Sequence, residues 1–269
     1  MPWISCRNRL NLIKTESGIL KPGKEKHLWF FLVFSLLLFF LLHFPVIYGQ
    51  TTQAIATAPS PEKAEAQWYL ITLNGQKIGY LKESGQKIKE NGQWFYKSYS
   101  ESKMSFNRLG KKAEITSKAE YLETEDGQLK KVLSETVMSS QPIRVEALVE
   151  EGKIVLKTTA SGRTFSRDLP FSGQLFGPEG ISQLSQARLK QPGDKVEYRT
   201  LLAELSQVVT GERWLAGEEE IDFRGEKIKT RKIEEKTSGV GSTRQVWIDE
   251  AGHEIKSVES SPFGDLIVI

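Results

Sequence analysis

Ala113-Glu-Ile-Thr-Ser-Lys-Ala-Glu-Tyr121 decides how the long C-terminal part of this chain is read. Ala113, Ile115, Ser117, Ala119 and Tyr121 alternate with Glu114, Thr116, Lys118 and Glu120. Successive side chains of a strand point to opposite faces, so this period of two predicts a strand with one buried and one wet face. Ile143, Val145, Ala147 and Val149 repeat the pattern against Arg144, Glu146 and Glu150, although Leu148 breaks the polar phase. Ile221 and Phe223 between Glu220, Asp222 and Arg224 do the same.

Glycine turns separate these runs. They are Asn74-Gly75, Asn91-Gly92, Leu109-Gly110, Asp126-Gly127, Glu151-Gly152, Arg224-Gly225 and Ala251-Gly252. Asn-Gly and Asp-Gly between alternating runs signal tight hairpins, because those turns need positive φ. The first four glycines are 17 or 18 residues apart, which leaves room for unusually long strands. Gly79 and Gly85 inside the first long strand mark expected bulges or bends. The glycines share hairpin grammar but no wider signature, so they do not define a repeat.

One stretch departs from this grammar. From Phe176 to Gly193, Ile181, Leu184 and Leu189 fall at helical spacing. Pro178 suits a first helical turn and Pro192-Gly193 suits an end, so a short helix is predicted over about 178–189. Further strands are expected near 194–203, 206–214, 217–224, 227–237, 243–249, 253–259 and 264–269. The expected fold is mainly β: one large curved antiparallel sheet, half-barrel-like, with one short helix.

Upstream, residues 28–48 form an apolar run from Leu28 to Tyr48, long enough to cross a bilayer as a helix. The 1–27 tail carries six Lys and Arg against Glu16 and Glu25, a balance of +4 out of a total of +3. The remainder is therefore near −1. A basic tail before an apolar run keeps the N-terminus in the cytoplasm and sends the rest outside. Two fates stay open. The run is a retained anchor, or a signal cleaved at small residues between Gly49 and Ala58. The expected location is accordingly the cytoplasmic membrane, single-pass with the body in the periplasm, or the periplasm itself. Residues 49–66 are small, polar and punctuated by Pro59 and Pro61, a linker, and 67–269 is the folded body.

The only cysteine, Cys6, lies in the tail, so the body has no disulfide and no thiolate metal site. Its only histidine is His253, read as a solvated turn residue after Ala251-Gly252. That supply cannot build a Cys-His-Asp triad or a two-histidine zinc site. Gly239-Val-Gly241 and Gly110-Lys111-Lys112 lack the context of phosphate loops. The acidic run Glu218-Glu219-Glu220 and the basic run Lys227, Lys229, Arg231 and Lys232 read as exposed faces beside one another. The aromatic cluster Trp94, Phe95, Tyr96 and Tyr99 reads as a strand with aromatics on both faces. No catalytic, cofactor-binding or metal-ligating residues are assigned, no enzyme is expected, and a near-neutral body argues against nucleic acid.

Four segments carry a resemblance: Trp68-Tyr-Leu-Ile-Thr-Leu-Asn-Gly-Gln-Lys-Ile-Gly-Tyr80, Gln191-Pro-Gly-Asp-Lys-Val-Glu-Tyr198, Val246-Trp-Ile-Asp-Glu-Ala-Gly252 and Ser261-Pro-Phe-Gly264. Their order resembles the β-rich region that precedes the catalytic domain in bacterial exported transglutaminase-like proteins. The resemblance implies an accessory module without its enzyme, because no nucleophilic cysteine follows. It implies a truncated reading frame or a stand-alone relative. The layout is also similar to the half-barrel of lipoprotein carrier-like domains, which implies a concave face for an acyl chain or peptide. Two functions are therefore expected. One is a non-catalytic binding or scaffolding module for an envelope protein. The other is a periplasmic carrier of a lipid or amphiphile. A deep apolar cavity favours the carrier, and a concave face plugged by the chain itself favours the scaffold.

Overall fold

The computed structural model describes residues 66–269 apart from 109–110, 139, 240–242 and 262–263. The basic tail, the 28–48 run and all of the linker except Ala66 lie outside the described residues. Among the described residues, no helix is long and apolar enough to cross a membrane.

Fourteen strands follow in order: β1 (Gln67–Leu73), β2 (Gln76–Glu90), β3 (Gln93–Arg108), β4 (Lys111–Thr124), β5 (Leu129–Met138), β6 (Gln141–Glu150), β7 (Lys153–Ala160) and β8 (Arg163–Pro170). Helix α1 (Pro178–Arg188) interrupts them. Then come β9 (Lys195–Leu202), β10 (Gln207–Phe223), β11 (Glu226–Thr237), β12 (Thr243–Ile248), β13 (Glu254–Ser261) and β14 (Gly264–Val268). All belong to one antiparallel sheet in the order β8-β7-β6-β5-β4-β3-β2-β1-β14-β13-β12-β11-β10-β9. The mainly β expectation holds, and so does the short helix. The two strands expected at 206–214 and 217–224 are one strand, β10, kinked where its register against β11 shifts between Leu215 and Gly217.

The hairpins obey their turn residues. Asn74 and Gly75 have φ of 50° and 76°, and Asn91 and Gly92 have 49° and 82°. Positive φ at both central positions gives the turn twist that matches the strands. Gly79 sits at a bulge, opposite Ile71 where the β1–β2 register shifts. A Cβ there would lie 1.9 Å from the Lys103 carbonyl oxygen, so only glycine lets β3 approach. Gly85 pairs regularly with Ser98 and marks no bulge.

Alternation buries one phase of each strand. In β4 these are Ile115, Ser117, Ala119 and Tyr121, the residues that alternation selects. The sheet curls until its two edge strands approach, but β8 and β9 do not pair. Packing joins them instead. Leu201 and Ala203, at the β9–β10 corner, enter the same cluster as Ala119, Val132, Val145, Ala147, Ile154 and Leu156 from β4–β7. The Glu204 carboxylate of that corner accepts a hydrogen bond from Ser134 of β5. Residues 171–177 cross one end: Leu129 N–H bonds Leu175 O at 2.8 Å, and Phe176 N–H bonds Arg199 O at 2.8 Å. Helix α1 then lies against β9–β12, where Leu189 packs with Val196, Leu215, Ile233, Val246 and Ile248.

Candidate functional site

The inner phase of β10–β13 carries charge where the pattern predicts apolar residues. Register places Arg213 opposite Glu235, Glu235 opposite Arg244, and Arg244 opposite Glu259. The row therefore alternates in sign across four strands, and all four residues are buried. Arg213 Nη2 donates to Glu235 Oε2 at 3.1 Å, and Arg244 Nη1 donates to the same oxygen at 3.4 Å. Arg244 Nη2 reaches Glu254 Oε1 at 2.5 Å. The Tyr198 hydroxyl donates to Glu235 Oε1. Arg213 Nη1 also meets Ser185 Oγ of helix α1 at 3.3 Å, which ties the helix to the row. Burial pushes the Tyr198 hydroxyl well above its ordinary range, with Glu235 adding to the shift. Such pairs gain little over well-packed apolar residues, because desolvation offsets most of their attraction. Their chemistry is spent on one another.

The opposite half of the interior is lined by hydroxyls. Ser98, Ser100, Ser102, Ser117, Ser134 and Thr136 are buried on β3–β5. Ser117 and Thr136 share a hydrogen bond of 2.9 Å, whereas the Ser98 and Ser102 hydroxyls have no partner among the described residues. These short side chains make room for the β9–β10 corner.

The end crossed by 171–177 has its own design. Gly177 precedes α1 and offers no side-chain cap. Glu123 of β4 supplies it from a distance: its carboxylate accepts N–H of Gly180 at 2.9 Å and of Glu179 at 3.1 Å. Free N–H groups and the helix dipole at an N-terminus suit a carboxylate. Burial, the larger influence, still pushes Glu123 up to about 8. Beside it, burial raises Glu179 to about 7. A cavity of about 490 Å³ opens at this end, between Gln128–Lys130, Val149–Gly152 and the 171–175 segment. Its lining mixes Leu129, Val149, Phe171 and Leu175 with Lys130, Glu150, Glu151 and Ser172.

Buried acids of this kind set the pH response. Burial raises Glu83, Glu123, Glu179, Glu204 and Glu254 above ordinary carboxylates, Glu204 to about 6. Each binds its proton more tightly folded than unfolded, so its contribution is complete below about pH 4.5 and is lost as pH rises through the folded value. The urea midpoint should therefore fall between pH 5 and pH 8, by at least about 1 kcal/mol of stability in total. A midpoint that rises over this interval would contradict the burial of these carboxyls.

The residues singled out in the sequence lie elsewhere. His253 is half-buried in the β12–β13 turn, its Nδ1 3.0 Å from Asp249 Oδ2 and its N–H bonded to Asp249 Oδ1 at 2.7 Å. The acidic and basic runs face each other across β10–β11, with Lys229–Glu218 at 2.9 Å and Lys227–Glu220 at 3.0 Å. Trp94 and Tyr96 lie on the inner phase of the β2–β3 hairpin, where it extends to the helix end of the barrel. Lys87 stands over Trp94 at 5.3 Å and over Tyr96 at 5.7 Å, and Lys89 over Trp94 at 5.4 Å. Burial raises the Tyr96 hydroxyl above its ordinary value, and the charge of Glu179 adds to that rise, so this lip lies beside the start of α1. Among the described residues, no group of three or more His, Asp or Glu could hold a metal ion.

Arg213, Glu235, Arg244 and Glu254 were not singled out by sequence reasoning. A signal existed: Arg213 stands between Gly211 and Leu215, and Arg244 two residues before Val246, both in the apolar phase of their strands. A charge in the apolar phase is a buried charge unless the strand frays.

No family model matches the chain, and no curated protein matches it. Among solved structures it is similar to the β-barrel-like protein of domain of unknown function DUF1849 from Brucella abortus. That likeness has a TM-score of 0.52 and 12% identity, and covers 76% of this chain and 94% of that one. A DUF1089 family protein from Pseudomonas aeruginosa also matches, at a TM-score of 0.36 and 12% identity over 77% of this chain and 95% of that one. The resemblance to transglutaminase-like proteins is thereby corrected: the structure that matches at a TM-score of 0.52 is a β-barrel-like domain of unknown function. The quoted segments misled for a physical reason. Asn74-Gly75, Pro192-Gly193 and Ala251-Gly252 are turn chemistry that any antiparallel meander of long strands requires. The fold is β-barrel-like.

Proposed function

We propose that the body is a non-catalytic binding module that works outside the cytoplasmic membrane. It is tethered by residues 28–48 or released after their cleavage, and it recognises an envelope protein. One observation carries the reading: the concave face is filled by the chain's own β9–β10 corner and helix. Among the described residues, Arg213, Glu235, Arg244 and Glu254 of the interior pair with each other, which puts charge where an acyl chain would need apolar walls. What remains is outer surface. The lip formed by Lys87, Lys89, Trp94 and Tyr96 beside α1 has the composition of an interface, aromatic and basic with Trp94 39% exposed. The module makes no use of nucleic acid, since its charge is near neutral.

A photo-crosslinking residue at position 94 of the full chain, in intact cells, tests this. One discrete envelope protein should be captured from position 94 and not from Lys157, which is exposed on β7. Equal capture from both sites would count against the lip. The carrier reading keeps one supporting observation, the 490 Å³ cavity at the helix end. Solvent extraction of the purified chain followed by mass spectrometry separates the two. A lipid at one per chain would favour the carrier over the module.

A further inference from the structure

The outer phase of a closed sheet faces water and is expected to be polar, yet one outer strip is not. Alternation turns Tyr69 and Ile71 of β1 inward and Trp68 and Leu70 outward. Register sets Leu70 beside Tyr80 of β2 and, through paired backbone bonds of 2.7 and 3.1 Å, beside Ile269. One step along, Ile267 of β14 pairs with Val258 of β13. Trp68 is 55% exposed and lies against Tyr80, with ring centroids 5.3 Å apart. Leu70, Tyr80, Val258, Ile267 and Ile269 are half-buried, and none of them joins an interior cluster.

Lysines rim this strip. Lys82 stands over the Trp68 ring at 5.2 Å, and Lys232 and Lys256 both stand over Trp247 at 4.9 Å. Among the described residues, none of the three forms an ion pair. Glu101, opposite Lys82, accepts instead from the hydroxyls of Tyr80 at 3.4 Å and Tyr99 at 2.9 Å. A ring face leaves ammonium donors open to an anion, because each lysine carries three.

We propose that the strip rests on a bilayer surface bearing anionic headgroups, with Trp68 and the aliphatic side chains at headgroup level and the three lysines on the phosphates. The proposal rests on residues 28–48 being a retained anchor, and it uses none of the lip residues. Where the chain enters the fold argues for this occupant. Ala66 is two residues before Trp68, so the tether is attached at the strip itself. Its eighteen residues, 49–66, hold that point within about 65 Å of the apolar run. Tethering of this kind supplies an effective concentration of about a millimolar, so a weak contact is enough. Trp and Tyr are the side chains that settle at a membrane interface, and lysine stems lie along apolar surface while their ammonium groups reach outward.

Fluorescence quenching in vesicles tests the contact. The full chain with Cys6→Ser and Val258→Cys, labelled with bimane at 258, is reconstituted in equal parts of phosphatidylcholine and phosphatidylglycerol. A nitroxide on the lipid headgroups should quench this label several-fold more than bimane at Lys157→Cys on β7. Lys82→Gln together with Lys256→Gln should cut the ratio of docked to undocked chains about 25-fold, at about fivefold for each lysine beside an anionic surface. Both lysines are on the outer face, so the fold is kept. Equal quenching at 258 and 157 in chains that float with the vesicles would overturn the proposal and leave the anchor standing. Chains that do not float would overturn the anchor and the strip together. Quenching at 258 that survives the double substitution unchanged counts against the lysines and overturns the proposal. So does one discrete protein captured by a photo-crosslinker at 258 in intact cells, since a protein would then cover the strip.

Discussion

Replacing Arg244 by methionine should cost the folded chain about 3–5 kcal/mol, the loss expected when one member of a buried ion pair is removed. Arg244 is 2% exposed and is the largest of the fully buried side chains. Its guanidinium serves two carboxylates, Glu235 at 3.4 Å and Glu254 at 2.5 Å. Methionine fills much of the volume, so the loss reports uncompensated charge and not a cavity. Glu235 keeps Arg213 and Tyr198, whereas Glu254 loses its ion-pair partner. Burial already holds the Glu254 carboxyl above its ordinary value, with Arg244 opposing that rise. Without Arg244 the proton is held more tightly still, so the deficit should shrink at pH 5 and be largest at pH 8. Urea unfolding of both proteins at the two pH values measures it. Adding Glu254→Gln to the variant should recover part of the loss. A deficit below about 1 kcal/mol at pH 8, typical of exposed pairs, would mean that the row is hydrated.

Gly180→Ala should be comparably damaging, although alanine normally stabilises a helix over glycine by about 0.5–1 kcal/mol. A Cβ on Gly180 would lie 2.1 Å from the Gly127 carbonyl oxygen and 2.7 Å from its carbonyl carbon and Cα. Every obstructing atom is backbone, so no rotamer change relieves the overlap. The first turn of α1 has to withdraw from the β4–β5 turn. Its N–H groups then leave Glu123, stranding a buried carboxyl. Overpacking and a lost cap together suggest a loss of about 3 kcal/mol. Urea unfolding measures the sign, and proteolysis at 171–194 should accelerate. A stabilised variant would show that the glycine contact is not tight.

Much of this architecture was legible because the inner phase of the strands is chemically simple. Ala113 to Tyr121 carries its alternation without interruption, and the Asn-Gly turns need φ values that few other pairs adopt. The helix was legible from Pro178 and the spacing of Ile181, Leu184 and Leu189, although Ser182 and Ser185 weaken its apolar face. The single run of β10 was not, because the break expected between 214 and 217 is a shift of register against β11 and not a turn. The interior row was missed because Arg213 with Glu235, and Arg244 with Glu254, become partners only through register. The same holds for Glu123, which caps a helix that starts 55 residues further on. The family resemblance failed because turn residues report hairpins and not ancestry.

The position of β1 has a consequence for how the molecule is made. Its outer edge is completed only by β14, through Ile71 with Val268 and Leu73 with Leu266, and by backbone bonds between Leu70 and Ile269. The first of the described strands to leave the ribosome thus waits for the five-residue β14 before both of its sides are covered. Two meanders can assemble locally in the meantime, one before α1 and one after it. Their joining is a late, long-range event, and a chain arrested near its end would leave a bare apolar seam at Ile71 open to aggregation.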